Sequence, residues 1–154
     1  MSSAFTAVPD RHSHGMLAVA TCAAMPTLIP VVAHQIGVIN HLPDPPGSLF
    51  ASDRITKSKA AHPLGIPDGI LGLSSYSVTL GLVVMAQNCP GARRLLAFKL
   101  SADGALAGFN VVRQIVSFRK ICSWCTATAL CTAVMLFAGR RVIADEIGAA
   151  RSCR

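Results

Sequence analysis

CSWCTATALCTAVMLFA, residues 122–138, decides how this chain reads: two thiols, Cys122 and Cys125, open its cleanest apolar run, Thr126 to Ala138. Around that run the composition is equally apolar. Of 154 residues, 52% are hydrophobic and 14% charged, and the mean hydropathy is +0.52. A water-soluble domain carries about a quarter charged residues, so the deficit points to a bilayer. A spanning helix needs about 20 mainly apolar residues. Four stretches come near that length: Met16 to Ile39, Ile66 to Ala86, Leu95 to Phe118 and Cys122 to Val142. They exhaust the chain, which leaves an N-terminal segment (1–15), a membrane domain (16–142) and a short C-terminal tail (143–154). The expected fold is an all-α integral membrane bundle of four transmembrane helices.

Met1 to Ser13 is mildly polar and lacks the charged start, short apolar core and small-residue cleavage site of a signal peptide, so the first helix reads as retained. The net charge of +7 does not imply nucleic acid, because its cations fall mostly at the ends of apolar segments. With a cytoplasmic N-terminus, Arg11, Arg93, Arg94, Lys99, Arg140, Arg141, Arg151 and Arg154 fall inside, and Arg54, Lys57, Lys59, Arg113, Arg119 and Lys120 outside. That bias of eight to six has the positive-inside direction. It places the dithiol and the long first loop on the outer, oxidising side.

The first segment contains Pro26 and Pro30, which a bundle accommodates by kinking, and ends near His34 and Gln35, read as interhelical or interfacial hydrogen-bonding groups. Asn40 to Gly65 opens with Pro43, Pro45, Pro46 and Gly47 and is a loop. Within it, SDRITKSKAAH predicts a short amphipathic helix capped by Ser52 and suited to the membrane surface. Gly65, Gly69, Gly72 and Gly81, with Ser74, Ser75 and Ser77, give the second segment small faces for close helix packing. The third carries Lys99 and Asp103 four apart, then Asn110 and Arg113, which must snorkel, pair or face the bundle interior. Gly139-Arg140-Arg141 reads as the end of the fourth.

One helical turn brings Cys122 and Cys125 to the same side, where they can form a disulfide. Free amides at a helix start stabilise a thiolate, and Arg119 and Lys120 add positive charge just upstream. No second CxxC or CxxH is present for zinc, and Thr126 stands where haem attachment needs histidine, so no metal is expected. Two structural cysteines at this spacing are the plainer alternative. Cys131 and Cys22 lie within spans, and Cys89 and Cys153 would be cytoplasmic and reduced. A disulfide beside lipid needs an electron acceptor, and a lipophilic quinone is the two-electron carrier at hand.

HLPDPPGSLFASDRITKSKAAHPLGIPDGILGLSSYS (41–77), followed by KICSWCTATA (120–129), resembles the vitamin K epoxide reductase family, particularly its bacterial four-helix members. The order of elements agrees over about Gly37 to Gly139. The resemblance implies a multi-pass oxidoreductase of the bacterial inner membrane whose helices enclose a quinone, of ubiquinone or menaquinone type, near the outer surface. It implies that Cys125 faces the quinone ring and forms a transient adduct, and that Cys122 exchanges disulfides with a shuttle cysteine or a partner. It matches Ser58 to a serine that orients the loop or bonds near the site. It places Ser75 and Ala129 where vertebrate enzymes use an asparagine and a tyrosine on the quinone oxygen. Family members carry two shuttle cysteines in the outer loop; this loop has none, and Ser52 stands where the second belongs. Serine cannot exchange disulfides, so a separate thioredoxin-like dithiol protein would supply that half of the relay. The competing expectation is a membrane scaffold or partner-binding subunit that no longer catalyses.

Overall fold

The computed structural model describes residues 11–152, with side chains from 12 to 148. Residues 1–10 of the N-terminal segment, and Cys153 and Arg154, lie outside the described residues. The helices are α1 (Arg11–Gln35), α2 (Ser52–Thr56), α3 (Asp68–Met85), α4 (Pro90–Arg113) and α5 (Ser123–Ser152). Among the described residues four helices, α1, α3, α4 with its continuation to Phe118, and α5, are long and apolar enough to cross a membrane. The protein is a multi-pass integral membrane protein. Helices α1 and α4 each pack against both α3 and α5, closing a four-membered ring. Because the spans alternate in direction, the 36–67 loop and Cys122-Cys125 share one end of the bundle, and the turn after Met85 lies at the other.

The ring buries small and hydroxylated residues around Leu17, Leu96, Leu100 and Met135 and leaves other large apolar side chains facing outward. Ala20, Thr21, Ala24, Thr79 and Thr132 are buried, whereas Phe98 is 75% and Leu130 64% exposed. In water that surface would drive aggregation, but in a bilayer it meets its natural solvent. Interhelical hydrogen bonds add to the packing: Thr27 and Thr128 hydroxyls lie 2.7 Å apart, and Tyr76 lies 2.7 Å from Thr132. The glycine face expected on the second span is only partly used. Gly69 packs against Val31 and Val32 of α1 and Gly72 against Leu28, but Gly65 and Gly81 have no near neighbour.

The expected helix limits need correction at both ends of the domain. The first span is helical from Arg11, five residues before Met16, and the third from Pro90, five before Leu95. The fourth passes through Gly139-Arg140-Arg141 to Ser152, so the expected tail is largely helix. Ion pairs account for the extension: Arg93 reaches Asp145 at 2.6 Å and Arg94 reaches Glu146 at 3.3 Å, tying the start of α4 to the far turns of α5. Gly139 is a packing notch rather than a stop signal. A Cβ there would lie 2.5 Å from Leu100 Cδ1, so its absence lets α4 and α5 approach. Gly139→Ile is therefore expected to cost about 1–3 kcal/mol through overpacking, read as a lower unfolding temperature in detergent.

The loop is held on the bundle by the end of α1. His34 Nδ1 lies 2.9 Å from Thr56 Oγ1, and Gln35 Nε2 donates to the Thr56 and Ala61 carbonyls and to Asp68 Oδ1 at 2.7 Å. Both residues thus act as the interhelical hydrogen-bonding groups expected of them. The short loop helix is present as α2, followed by tight turns at Lys59–Ala61 and Pro63–Gly65. Ser52 does not cap it: Ala51 holds that position, and the buried Ser52 side chain turns inward.

Candidate active site

Cys122 sits on the turn between α4 and α5, and two local devices fix it there. The end of α4 widens into a π-helical turn, Gln114–Phe118, which turns Gln114 inward to accept the Cys122 N–H at 2.8 Å. Arg119 then adopts a left-handed conformation, φ +50°, that reverses the chain into α5. From the first turn of α5, the Cys125 amide donates to Cys122 Sγ at 3.2 Å. An N–H at a helix start aimed at sulfur is the arrangement that favours a thiolate. The two cysteines are unlinked.

The thiols face different surroundings. Cys125 is half-buried and lines a cavity of about 420 Å³ between the helices. Leu28, Val31, Ile55, Leu106 and Phe109 give that cavity an apolar wall, and Asp68, Asn110, Arg113 and Gln114 stand at its polar places. Its size and lining suit a flat, mostly apolar ring with polar edges. Cys122 has no exposed surface and lies against the loop. The loop is stitched over it: Phe50 bridges to Ile121, Ala51 N–H donates to Ile121 O at 3.1 Å, and Lys120 bonds the Ser48 carbonyl. Trp124 Nε1 donates to Pro43 O at 3.1 Å.

At the centre of this cover is Asp44. Its Oδ1 accepts from the Ser52 hydroxyl at 2.5 Å and the Ser123 hydroxyl at 2.6 Å, and its Oδ2 accepts the Ser52 N–H at 2.9 Å. Ser52 Oγ in turn accepts the Ser123 N–H at 3.1 Å and stands beside the Cys122 sulfur. Burial opposes ionisation of Asp44, but the bonds from Ser123 and Ser52 outweigh it and hold the carboxyl below its ordinary value of 3.8. A depressed folded value means the clamp is fully present above pH 3.8 and is lost as pH falls through the lowered value. Alkylation of Cys122 by a water-soluble maleimide should stay slow from neutral pH down to that range. Asp44→Ala should speed it at neutral pH by about tenfold, since all three hydrogen bonds to the carboxylate are lost.

The other expected site residues are spread unevenly. Ser75 and Ala129 both line the cavity, but Ala129 offers no donor, and the Ser75 hydroxyl donates to Asp103 at 3.0 Å while accepting from Lys99 at 2.6 Å. Ser58 does not reach the cavity wall; its hydroxyl donates to Ile55 O at 2.6 Å and shapes the loop. Lys99 and Asp103 pair at 2.5 Å, with Thr79 donating to the carboxylate at 3.0 Å. Cys22, Cys89 and Cys131 are free thiols.

Against this geometry, a profile of the vitamin K epoxide reductase family matches residues 15–139, most of the chain. The chain belongs to the vitamin K epoxide reductase family. No curated protein and no solved structure gives a significant match. Family membership agrees with the four-span bundle and marks the protein as a member of a family of membrane oxidoreductases associated with quinones. Sequence reasoning missed Asp44, Ser123 and Gln114 at this vitamin K epoxide reductase-like site. Their only sequence signal was proximity to the CxxC or to the proline-rich loop.

Proposed function

We propose that Cys122 and Cys125 form the redox centre of a quinone-linked thiol oxidoreductase. The observation that carries this reading is the division of the pair: Cys125 on the cavity wall, Cys122 against the loop. A quinone of ubiquinone or menaquinone type enters the cavity as substrate. The dithiol gives it two electrons and two protons, leaving a Cys122–Cys125 disulfide and a quinol. An external thioredoxin-like dithiol then reduces the disulfide by attack at Cys122, releasing its own disulfide. Because Cys122 is covered and the loop holds no thiol, this second exchange requires the loop to lift, and Ser52 marks where the partner's sulfur must come. The site faces the outer, oxidising side of a bacterial inner membrane, in keeping with the positive-inside direction of the cations.

The test is thiol trapping of the purified full chain. After reduction, added quinone should restore a Cys122–Cys125 disulfide detected by mass spectrometry; if quinone never reoxidises the pair, the reading fails. The loop that carries Ser52 in place of a thiol and shields Cys122 favours a second reading, a partner-binding subunit without turnover. An unaltered cellular phenotype for Cys125→Ala would support that reading.

A further inference from the structure

A quinone oxygen only accepts hydrogen bonds, and its demand for donors grows as electrons reach the ring. The cavity's hydroxyls are already spent. Thr56 donates to Ser52 O at 2.8 Å, Thr128 to Trp124 O at 3.0 Å and Ser75 to Asp103 at 3.0 Å. Tyr76 must donate to Thr132, because the Thr132 hydroxyl donates to Thr128 O at 2.9 Å. Asp68 and Asp103, as carboxylates, supply only acceptors.

Three donors remain, and all lie on one stretch at the loop end of α4. Gln114 is 4% exposed and lines the cavity. Its Oε1 is committed to the Cys122 N–H, which fixes the amide's orientation and leaves Nε2 without a partner among the described residues. Asn110, one turn earlier, also lines the cavity, and its side chain makes no hydrogen bond among the described residues. Arg113 spends Nη1 on Ala60 O at 2.8 Å, and its buried Nε has no partner. A buried donor without a partner is costly, so Arg113 Nε, together with the unengaged amides of Asn110 and Gln114 in the cavity that Cys125 lines, is a sign of a missing acceptor.

We infer that Asn110, Arg113 and Gln114 are the donor set that holds a quinone oxygen and keeps the ring beside Cys125, the part that Ala129 and Ser75 leave unfilled. This inference rests on the proposed function and names the binding residues of that site. Gln114 has a double role, since one side chain fixes the Cys122 backbone and reaches toward the ring. When the dithiol delivers two electrons and two protons, these groups stabilise the charge that grows on the oxygen, and none of them is consumed.

The test uses the detergent-solubilised full chain with decylubiquinone as probe, read by quenching of Trp124, the chain's one tryptophan. Asn110→Leu, which breaks no hydrogen bond among the described residues, should weaken quinone binding by about tenfold, and Asn110→Leu with Arg113→Met by at least about a hundredfold. Arg113→Lys should recover part of the loss. Phe98→Leu, on the outward face of α4, should bind like the parent. Retention of the parent's α-helical far-ultraviolet signal reports that each variant is folded. If Arg113→Met unfolds the loop by losing its Ala60 contact, Asn110→Leu alone carries the test. Parent-like binding by Asn110→Leu would overturn the assignment, whereas a parent chain that binds no quinone and is not reoxidised would overturn the proposed function itself.

Discussion

Cys125→Ala is expected to lower quinone-driven oxidation by at least about a thousandfold, because it removes the only thiol of the pair on the cavity wall. Cys122→Ala should abolish turnover just as fully, since a disulfide needs two sulfurs. The variants separate in a second measurement. In Cys122→Ala, Cys125 remains open to a small lipophilic maleimide through the cavity, whereas in Cys125→Ala the remaining Cys122 stays covered and reacts slowly. Equal labelling of the two variants would contradict the division of roles. Loss of the α-helical far-ultraviolet signal in either would instead point to a structural role for that cysteine.

The second large effect concerns stability. Asp103 is 7% exposed, and its carboxylate neutralises the Lys99 ammonium within the membrane span at 2.5 and 2.6 Å, with Ser75 and Thr79 completing its bonds. Removing one partner leaves a buried charge uncompensated, so Asp103→Leu should destabilise the protein by about 3–5 kcal/mol. Removing both, in Lys99→Met with Asp103→Leu, replaces the pair with apolar groups and should recover most of that loss. Thermal unfolding of the single and double variants in detergent decides the matter. A double variant no more stable than Asp103→Leu alone would show that the carboxylate acts through Ser75 and Thr79 rather than through Lys99.

The spans were legible because burial in lipid leaves a strong, one-dimensional trace: runs of apolar residues about 20 long, whatever their contacts. The placing of Cys122 and Cys125 on one turn was legible because it lies in a three-residue spacing. Helix ends were less so. Gly139-Arg140-Arg141 carries the local marks of a terminus, yet the glycine accommodates Leu100 and the helix continues to ion pairs with α4. Such a choice depends on a neighbour about forty residues away and leaves no local sign. The i,i+4 pair Lys99–Asp103 was visible as a pair, but its enclosure by Ser75 and Thr79 required the fold. The same holds for Asp44 and Gln114. Asp44 lies in a proline-rich stretch without periodicity, and the π-helical turn that aims Gln114 inward disrupts the spacing by which a helix face is read.

Complete coverage of Cys122 has a consequence for electron leakage. A dithiol open to water would be drained or short-circuited by any small thiol or oxidant in its compartment. Here the loop covers one sulfur while the cavity reaches the other, so under the proposed function access would be decided by which body can lift the loop and which can slip between the helices. Selectivity of this kind resides in the lid's fastenings, Asp44 to Ser52 and Ser123 and Trp124 to Pro43, rather than in the reactivity of sulfur.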